Sequence, residues 1–311
     1  MYQPYVRGKQ FELIGLRELT PGILTQKKEK ISPIIEPVRD SSTLKSTIKE
    51  FIENDINFTI IINPQVGTFT DSDEILKVIE TCVGEYLNFQ LGIIFHREID
   101  HKAIVDLLDN YSTPHPSLSI IHNCTFDNIA DVMEHYNNYD IKYNVINMSL
   151  TNRRYYRNFD LKTRVELDDY FKSQDRNADY LSVDESDFTE EHLYYKEEGY
   201  VGFSDFLSIG DVYSESGFLP YAVAIHLSYS DNKNRIKIKH FTSDSNDDTD
   251  DVAGKFAEAL DKLIKWCHEN EYDSVAIPLF RDYHERGHFP GLGMLKKLSL
   301  MNHIDLVLNL I

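Results

Sequence analysis

Ionisable side chains recur where short apolar segments of this sequence end. The acids and histidines among them are Glu36, His96, His122, Asp205 and His226. Imidazole and carboxylate groups that meet in one pocket can act as general acid and base. We therefore treat these five residues as candidate catalytic residues. The same groups could hold a divalent metal, but His284, His288 and His303 lack HExxH or comparable spacing, and we assign no metal ligands.

A second set of polar residues offers groups for binding, most of them also at strand ends. Its members are Lys9, Asn63, Arg97, Asn147 and His240. Arg97 would neutralise an anionic substrate next to His96. The alternative is that turns favour asparagine and aspartate, which explains many polar residues after strands. Histidine is not a common turn residue, so the set as a whole keeps the functional interpretation open.

The segment from residue 202 to residue 244 has the most unusual pattern in the chain. Asp205 lies in an otherwise apolar strand, where an unpaired buried charge would be very costly. His226 and His240, in neighbouring predicted strands, could pair with it. A serine nucleophile is disfavoured because no GxSxG elbow is present. The alternative is a structural hydrogen bond between the aspartate and a histidine.

Another short motif, Gly291-Leu292-Gly293, begins a predicted helix, with Lys296 and Lys297 close behind. The free N–H groups of a helix start bind phosphate readily. No Walker A or GxGxxG pattern accompanies it. We therefore favour a plain turn into a helix at this point.

The elements that must position these residues alternate between short β-branched runs and amphipathic helices. The runs are typical of parallel strands, and they cover residues 31–38, 58–64, 90–96, 118–123, 143–149, 163–171, 201–207 and 221–229. Eight strands with intervening helices predict an α/β fold, a (β/α)8 TIM-type barrel. The alternative is an open doubly wound sheet with a C-terminal appendage.

After the barrel strands, the alternation at residues 235–244 predicts an added β-hairpin, and helices follow it. We predict a single barrel domain over residues 1–311. Within it, residues 201–244 form the last barrel strands plus the hairpin, and residues 245–311 form a helical segment packed on the barrel. In such a barrel the strand ends converge on one mouth, where all the candidate residues would lie.

The composition excludes some classes of partner. The chain has 51 acidic and 32 basic residues, a formal charge of −19, which disfavours direct binding of nucleic acid. No apolar run approaches the ~20 residues of a membrane span. Three cysteines without close spacing suit a reducing compartment, so we expect a cytoplasmic protein. Nothing in the sequence identifies a cofactor.

Two regions resemble a known family. The N-terminal residues Tyr2, Pro4, Arg7, Lys9, Gln10, Glu12 and Leu16, followed by ISPIIE at 31–36, resemble the phage beta protein family. The second half is similar to an uncharacterised bacterial subgroup, over residues 195–205, 217–229, 240–244, 255–258 and 290–299. The resemblance implies a TIM-type barrel and a protein partner encoded by an adjacent gene. It supplies no catalytic residues.

Three functional hypotheses follow. The first is a regulatory or recognition subunit of a bacterial two-protein system, with phage defence as its setting, that binds a ligand or partner at the barrel mouth. The second is a hydrolase or phosphate-ester-processing barrel enzyme that uses the five acids and histidines. The third is an inhibitor that mimics DNA through its negative charge, which predicts acidic residues aligned in a stripe.

Overall fold

A computed structural model describes residues 1–111, 116–215 and 219–311 of the chain. Residues 217 and 218, which open one of the stretches that resemble the bacterial subgroup, lie outside this description. The chain divides into two compact units. The first consists of residues 1–169 and 191–205, and the second of residues 170–190 and 206–311. The prediction of one domain over residues 1–311 stays a prediction.

The first unit contains an eight-stranded parallel sheet that curls into a nearly closed barrel surrounded by helices. Its strands, in spatial order, are β1 (Tyr5–Val6), β2 (Ile34–Ile35), β3 (Phe58–Ile61), β4 (Phe89–Phe95), β5 (Ser117–His122), β6 (Ile141–Asn147), β7 (Arg164–Asp168) and β9 (Gly202–Asp205). The predicted (β/α)8 TIM-type barrel is confirmed. Most of these strands are buried on both faces, as the continuous apolar runs require.

Helices connect the strands of the first unit. They are α1 (Gln10–Leu19), α2 (Ser42–Glu53), α3 (Ser72–Val83), α4 (His101–Asp109), α5 (Ile129–Glu134) and the short α6 (Glu191–Tyr194). Ser41, Asp71 and Asp100 cap three of them, since their side chains accept hydrogen bonds from free N–H groups of the first turn.

The N-terminal segment closes the barrel. Tyr2 forms parallel bridges to Ile31 on one side and to Phe203 on the other. The N–H of Phe203 donates to the carbonyl of Met1 over 3.0 Å, and the N–H of Gln3 donates to Phe203 over 2.9 Å. The Tyr2 hydroxyl donates to Oδ1 of Asp205 over 2.9 Å, with both residues fully buried. Tyr2 thus joins the first and last strands.

The second unit is built on a three-stranded antiparallel sheet in the order β10 (Ala224–Ser230), β11 (Ile236–Thr242) and β8 (Glu185–Thr189). Three helices follow, α7 (Val252–Glu269), α8 (Ile277–Arg286) and α9 (Leu292–Leu310). The predicted hairpin and C-terminal helices are present. Helix α7 packs on β11 and α9 packs on β10. None of the helices among the described residues is long and apolar enough to cross a membrane.

One strand assignment is wrong, and two strands of the structure were not predicted. The run at residues 221–229 is not the eighth barrel strand, because β10 pairs with β11 in the separate antiparallel sheet. Within residues 201–244, only β9 therefore belongs to the barrel. The remaining place in the barrel belongs to β1, which has two residues and is too short to produce a periodic pattern. Strand β8, within a region expected to be loop and helix, was also not predicted.

We expect Tyr2→Phe to lower the free energy of unfolding by about 1–3 kcal/mol, because it removes a hydrogen bond to the buried Asp205 carboxylate. Urea unfolding followed by far-ultraviolet circular dichroism measures this. Tyr194→Phe, at a 46% exposed position in the same unit, is the control and should change little. Equal stabilities for the two variants would contradict the role of Tyr2.

Candidate functional site

At the barrel strand ends, Glu36 follows β2 and is fully buried. Its Oε2 accepts a hydrogen bond from the Tyr5 hydroxyl over 2.7 Å and forms an ion pair with the Arg7 guanidinium. Its Oε1 accepts from the N–H of Gln65 over 2.7 Å. Both oxygens of this carboxylate are therefore engaged in holding three loops, which leaves little capacity to act as a base.

Both candidate asparagines link segments of backbone. Asn63 donates to the carbonyl of Ile94 over 2.9 Å and accepts from its N–H over 2.8 Å, so it continues the pairing of β3 with β4. Asn147, at the end of β6, accepts from the N–H of Leu150 over 3.2 Å and caps the turn that follows. These contacts agree with the alternative that turn geometry explains the asparagines.

His122 is fully buried at the end of β5. Its Nε2 lies 3.0 Å from Oδ1 of Asn144, and its Nδ1 lies 3.3 Å from the Tyr155 hydroxyl. An amide oxygen only accepts, so Nε2 carries the proton and Nδ1 accepts from the tyrosine. Burial lowers the pKa of His122 to about 4. The imidazole is therefore neutral, and each of its two nitrogens has a hydrogen-bond partner in the core.

The other candidates in the first unit differ in exposure. Asp205 is fully buried at the end of β9, where it accepts a hydrogen bond from the Tyr2 hydroxyl. The two histidines that could have paired with it, His226 and His240, belong to the other sheet. His96 is half-buried after β4, and Arg97 beside it is exposed. Lys9 is half-buried and immediately precedes α1, where its carbonyl accepts from the N–H of Leu13.

The structure brings together His226 and His240, which face each other on β10 and β11 of the second unit. Their Nδ1 atoms are 2.9 Å apart. His226 was expected on the eighth barrel strand, and that placement is wrong because β10 belongs to the antiparallel sheet. Nε2 of His240 lies 3.0 Å from the hydroxyl of Ser186 on β8. The three polar groups form a row across the sheet.

Both imidazoles are neutral near pH 7. Burial lowers the pKa of His226 to about 3, helped by His240 and by the ammonium of Lys296. Burial also lowers the pKa of His240 to about 4. An Nδ1–Nδ1 hydrogen bond requires one ring to donate and the other to accept. The pair therefore has two tautomeric arrangements.

His226 also lines a cavity of about 630 Å³ that lies entirely within the second unit. This volume is typical of small-molecule sites, which span about 300–1,000 Å³. Apolar side chains make much of the wall, among them Phe171, Leu219, Val223 and Leu295. The ring of Tyr180 lies 4.7 Å from that of His226 and 4.5 Å from that of His240.

The polar part of the lining contains no acid. Among the described residues that line the cavity, Lys296 carries the only formal charge, and the neutral polar groups are Ser173, Gln174, Asn177, Tyr180, Ser208, His226 and Ser299. An acid-free wall is unusual in a chain with 51 acidic residues. The one charged side chain in this described lining is therefore opposite in sign to the net charge of the chain.

The first turn of α9 forms another part of the wall, through Leu292 and Gly293. The residue before the helix, Gly291, has a φ of 92° and offers no side chain to cap it. The first N–H groups of a helix have no partner within the helix, and the macrodipole places partial positive charge there. With Lys296 one turn further on, the helix start favours an anion. The interpretation of Gly291-Leu292-Gly293 as a plain turn does not include this positive environment.

Ser208 adds a buried hydroxyl to the same wall. It is 3% exposed, and its Oγ has no hydrogen-bond partner among the described residues. The preceding residue, Leu207, has a φ of 59°, a left-handed conformation that is strained for a bulky side chain. Strained backbone of this kind tends to occur at functional sites. A ligand atom in the cavity would satisfy the hydroxyl.

Sequence reasoning found parts of this site but did not bring them together. His226 was a candidate residue, and Gly291-Leu292-Gly293 with Lys296 was a second signal, which a turn explains equally well. Ser208 is far from Lys296 in the chain, so only packing places it in the same wall. No family model matches this chain, and neither does any curated protein or solved structure.

The histidine pair predicts acid sensitivity of the second unit. An unfolded chain binds protons below the ordinary histidine pKa of about 6.5, whereas the folded pair takes them up only near pH 3–4. The free energy of unfolding should therefore fall as the pH drops from about 6.5 to 4, by about 1.4 kcal/mol per pH unit for each histidine. Urea unfolding followed by the fluorescence of Trp266, which packs on Tyr229 and Phe241, measures it.

His226→Asn should reduce this pH slope by about 1.4 kcal/mol per pH unit, since it removes one of the two titrating groups. His268→Asn, at an exposed position on α7, is the matched control and should leave the slope unchanged. If His226→Asn keeps the wild-type slope, the pair does not carry the acid sensitivity.

Proposed function

We propose that this chain is a recognition subunit whose second unit binds a small organic anion in its cavity. The observation that carries the proposal is the acid-free wall, where Lys296 and the uncapped start of α9 lie together in a protein of charge −19. The proposed site therefore differs from the one predicted at the barrel mouth, where Glu36 and Asp205 make structural contacts.

The ligand has an anionic head and a partly apolar body. Free N–H groups, an ammonium and the Ser208 hydroxyl suit the oxygens of a phosphate ester. Phe171, Tyr180 and the aliphatic wall suit a ring or chain next to that head. The cavity volume allows a molecule of the size of a nucleoside monophosphate.

Binding at the cavity would select one tautomer of the histidine pair. Of the two ring nitrogens of His226, only Nδ1 has a hydrogen-bond partner among the described residues. The other nitrogen, Nε2, is therefore available to a ligand. If Nε2 of His226 donates to an anion, Nδ1 must accept from His240, and Nε2 of His240 then accepts from the Ser186 hydroxyl. Ligand binding would thus reorient protons as far as β8.

The protein partner, the product of an adjacent gene, belongs to the same proposal, and the resemblance to the bacterial subgroup supports it. In this scheme the ligand is the signal and the partner receives it, with phage defence as the setting. The cytoplasm suits the three free cysteines, Cys82, Cys124 and Cys267.

The enzyme alternative stays a prediction. It needs a group that exchanges a proton near neutral pH. Among the described residues that line the cavity, His226 is the only histidine. Its pKa of about 3 makes it a weak base. His122, with a pKa of about 4, is fully buried. The geometry therefore supports binding better than catalysis.

Anion binding predicts a specific loss on mutation. Titration calorimetry with inorganic phosphate and with adenosine monophosphate should show saturable binding, tighter for the nucleotide because its base and sugar contact the apolar wall. Lys296→Gln should weaken binding about 10- to 100-fold, since a hydrogen bond to a charged group contributes about 1.5–3 kcal/mol. Ser208→Ala should weaken it about 2- to 10-fold.

Lys265→Gln is the matched control, because Lys265 is an exposed lysine on α7 outside the cavity lining. It should leave the affinity unchanged. Equal effects of Lys296→Gln and Lys265→Gln would show that any binding reflects general charge and would overturn the proposed site.

Association with the partner is tested separately. Co-expression with the product of the adjacent gene should give one complex on size-exclusion chromatography at micromolar concentration. Two proteins that elute separately, with and without adenosine monophosphate, would contradict the two-protein assignment but leave the anion site standing.

A further inference from the structure

A cluster of three carboxylates lies in the first unit, between β7 and the segment that begins with α6. Glu166 comes from β7, Glu191 opens α6, and Glu198 lies in the turn after α6. One carboxylate oxygen from each lies within 4.8 Å of those from the other two. Glu166 is 8% exposed, Glu191 is half-buried and Glu198 is exposed. The cluster therefore runs from the protein interior to water.

An acidic cluster alone is common on protein surfaces, but Glu166 adds a second observation. Its Oε2 is buried and has no hydrogen-bond partner among the described residues. A buried carboxylate oxygen without a partner is costly, and the Glu166 carboxyl lies beside two further carboxyls. The alternating pattern of β7 explains the placement, since Val165 and Leu167 fill the opposite face.

The electrostatic surroundings of Glu166 are those of a site that lacks a positive charge. Burial, together with the nearby carboxyls of Glu191, Glu198 and Asp168, raises its pKa to about 8. A divalent ion at the cluster would balance these negative charges.

We propose that Glu166, Glu191 and Glu198 bind a hard divalent cation such as Ca²⁺. Carboxylate oxygens are the ligands such ions prefer, and oxygens that lie within 4.8 Å of one another can share one ion. Ca²⁺ accepts flexible coordination by carboxylates and water, whereas Mg²⁺ demands octahedral geometry and gives up its own water reluctantly. The exposure of Glu198 leaves room for water ligands, so the cluster suits Ca²⁺ better.

This cation would tie β7 to the turn that follows α6. Residues 170–190, which separate these two parts of the first unit in the chain, belong to the second unit. The ion would therefore connect the place where the chain leaves the first unit with the place where it returns to it. Its presence should stabilise the barrel independently of any ligand in the cavity.

Calorimetric titration of the full chain, freed of metal with EDTA, with CaCl2 tests the site. We expect one Ca²⁺ bound per chain and weaker binding of Mg²⁺. Glu166→Gln and Glu198→Gln should each weaken Ca²⁺ binding at least tenfold, because each removes a charged ligand. Glu197→Gln is the matched control, since Glu197 is an exposed neighbour outside the cluster.

Glu198 is exposed, so Glu198→Gln should keep the fold even if a change at Glu166 disturbs it, and circular dichroism checks both. Saturable binding that is lost in both cluster variants and kept in Glu197→Gln supports the site. The absence of saturable Ca²⁺ binding at millimolar concentration overturns it, and so does equal binding by wild type and Glu198→Gln.

Discussion

Closure of the parallel sheet depends on the first residues of the chain, because an open parallel sheet leaves two edges of unpaired backbone groups. Tyr2 supplies the link by bridging Ile31 and Phe203. Its hydroxyl also satisfies one oxygen of Asp205, which would otherwise be a buried charge with fewer partners. The loops that follow β1 and β2 are then held by Glu36 with Tyr5 and Arg7. The polar residues of the closed barrel thus serve its construction.

This use of the strand-end residues explains why function is better sought elsewhere. A carboxylate whose oxygens are engaged, or a histidine enclosed by aromatic rings, has lost the freedom that binding or proton transfer requires. The cavity of the second unit has the opposite character. Its Ser208 hydroxyl is unsatisfied, its helix start is uncapped, and Lys296 has no acid beside it in the described lining. Unsatisfied groups of compatible charge indicate a ligand.

The two proposed sites bind ligands of opposite charge, but both are preformed by the fold. In each, a polar group is held by rigid secondary structure before its partner arrives, at α9 for the anion and at β7 for the cation. The surrounding fold holds this polar group in place, so binding does not require a large rearrangement. The histidine row from His226 to Ser186 offers a physical route from the cavity to β8, since proton positions along it are coupled.

The sequence by itself determined the parallel strands from β2 to β7, because each is a local apolar run with a buried environment on both faces. It also determined the cap of α3 at Asp71, since a cap is made within one turn. Only the tertiary structure decided that a two-residue strand completes the barrel and that His226 belongs to another sheet. It alone assembled the acid-free cavity and the Glu166 cluster, because both join residues far apart in the chain through packing, which local patterns do not encode.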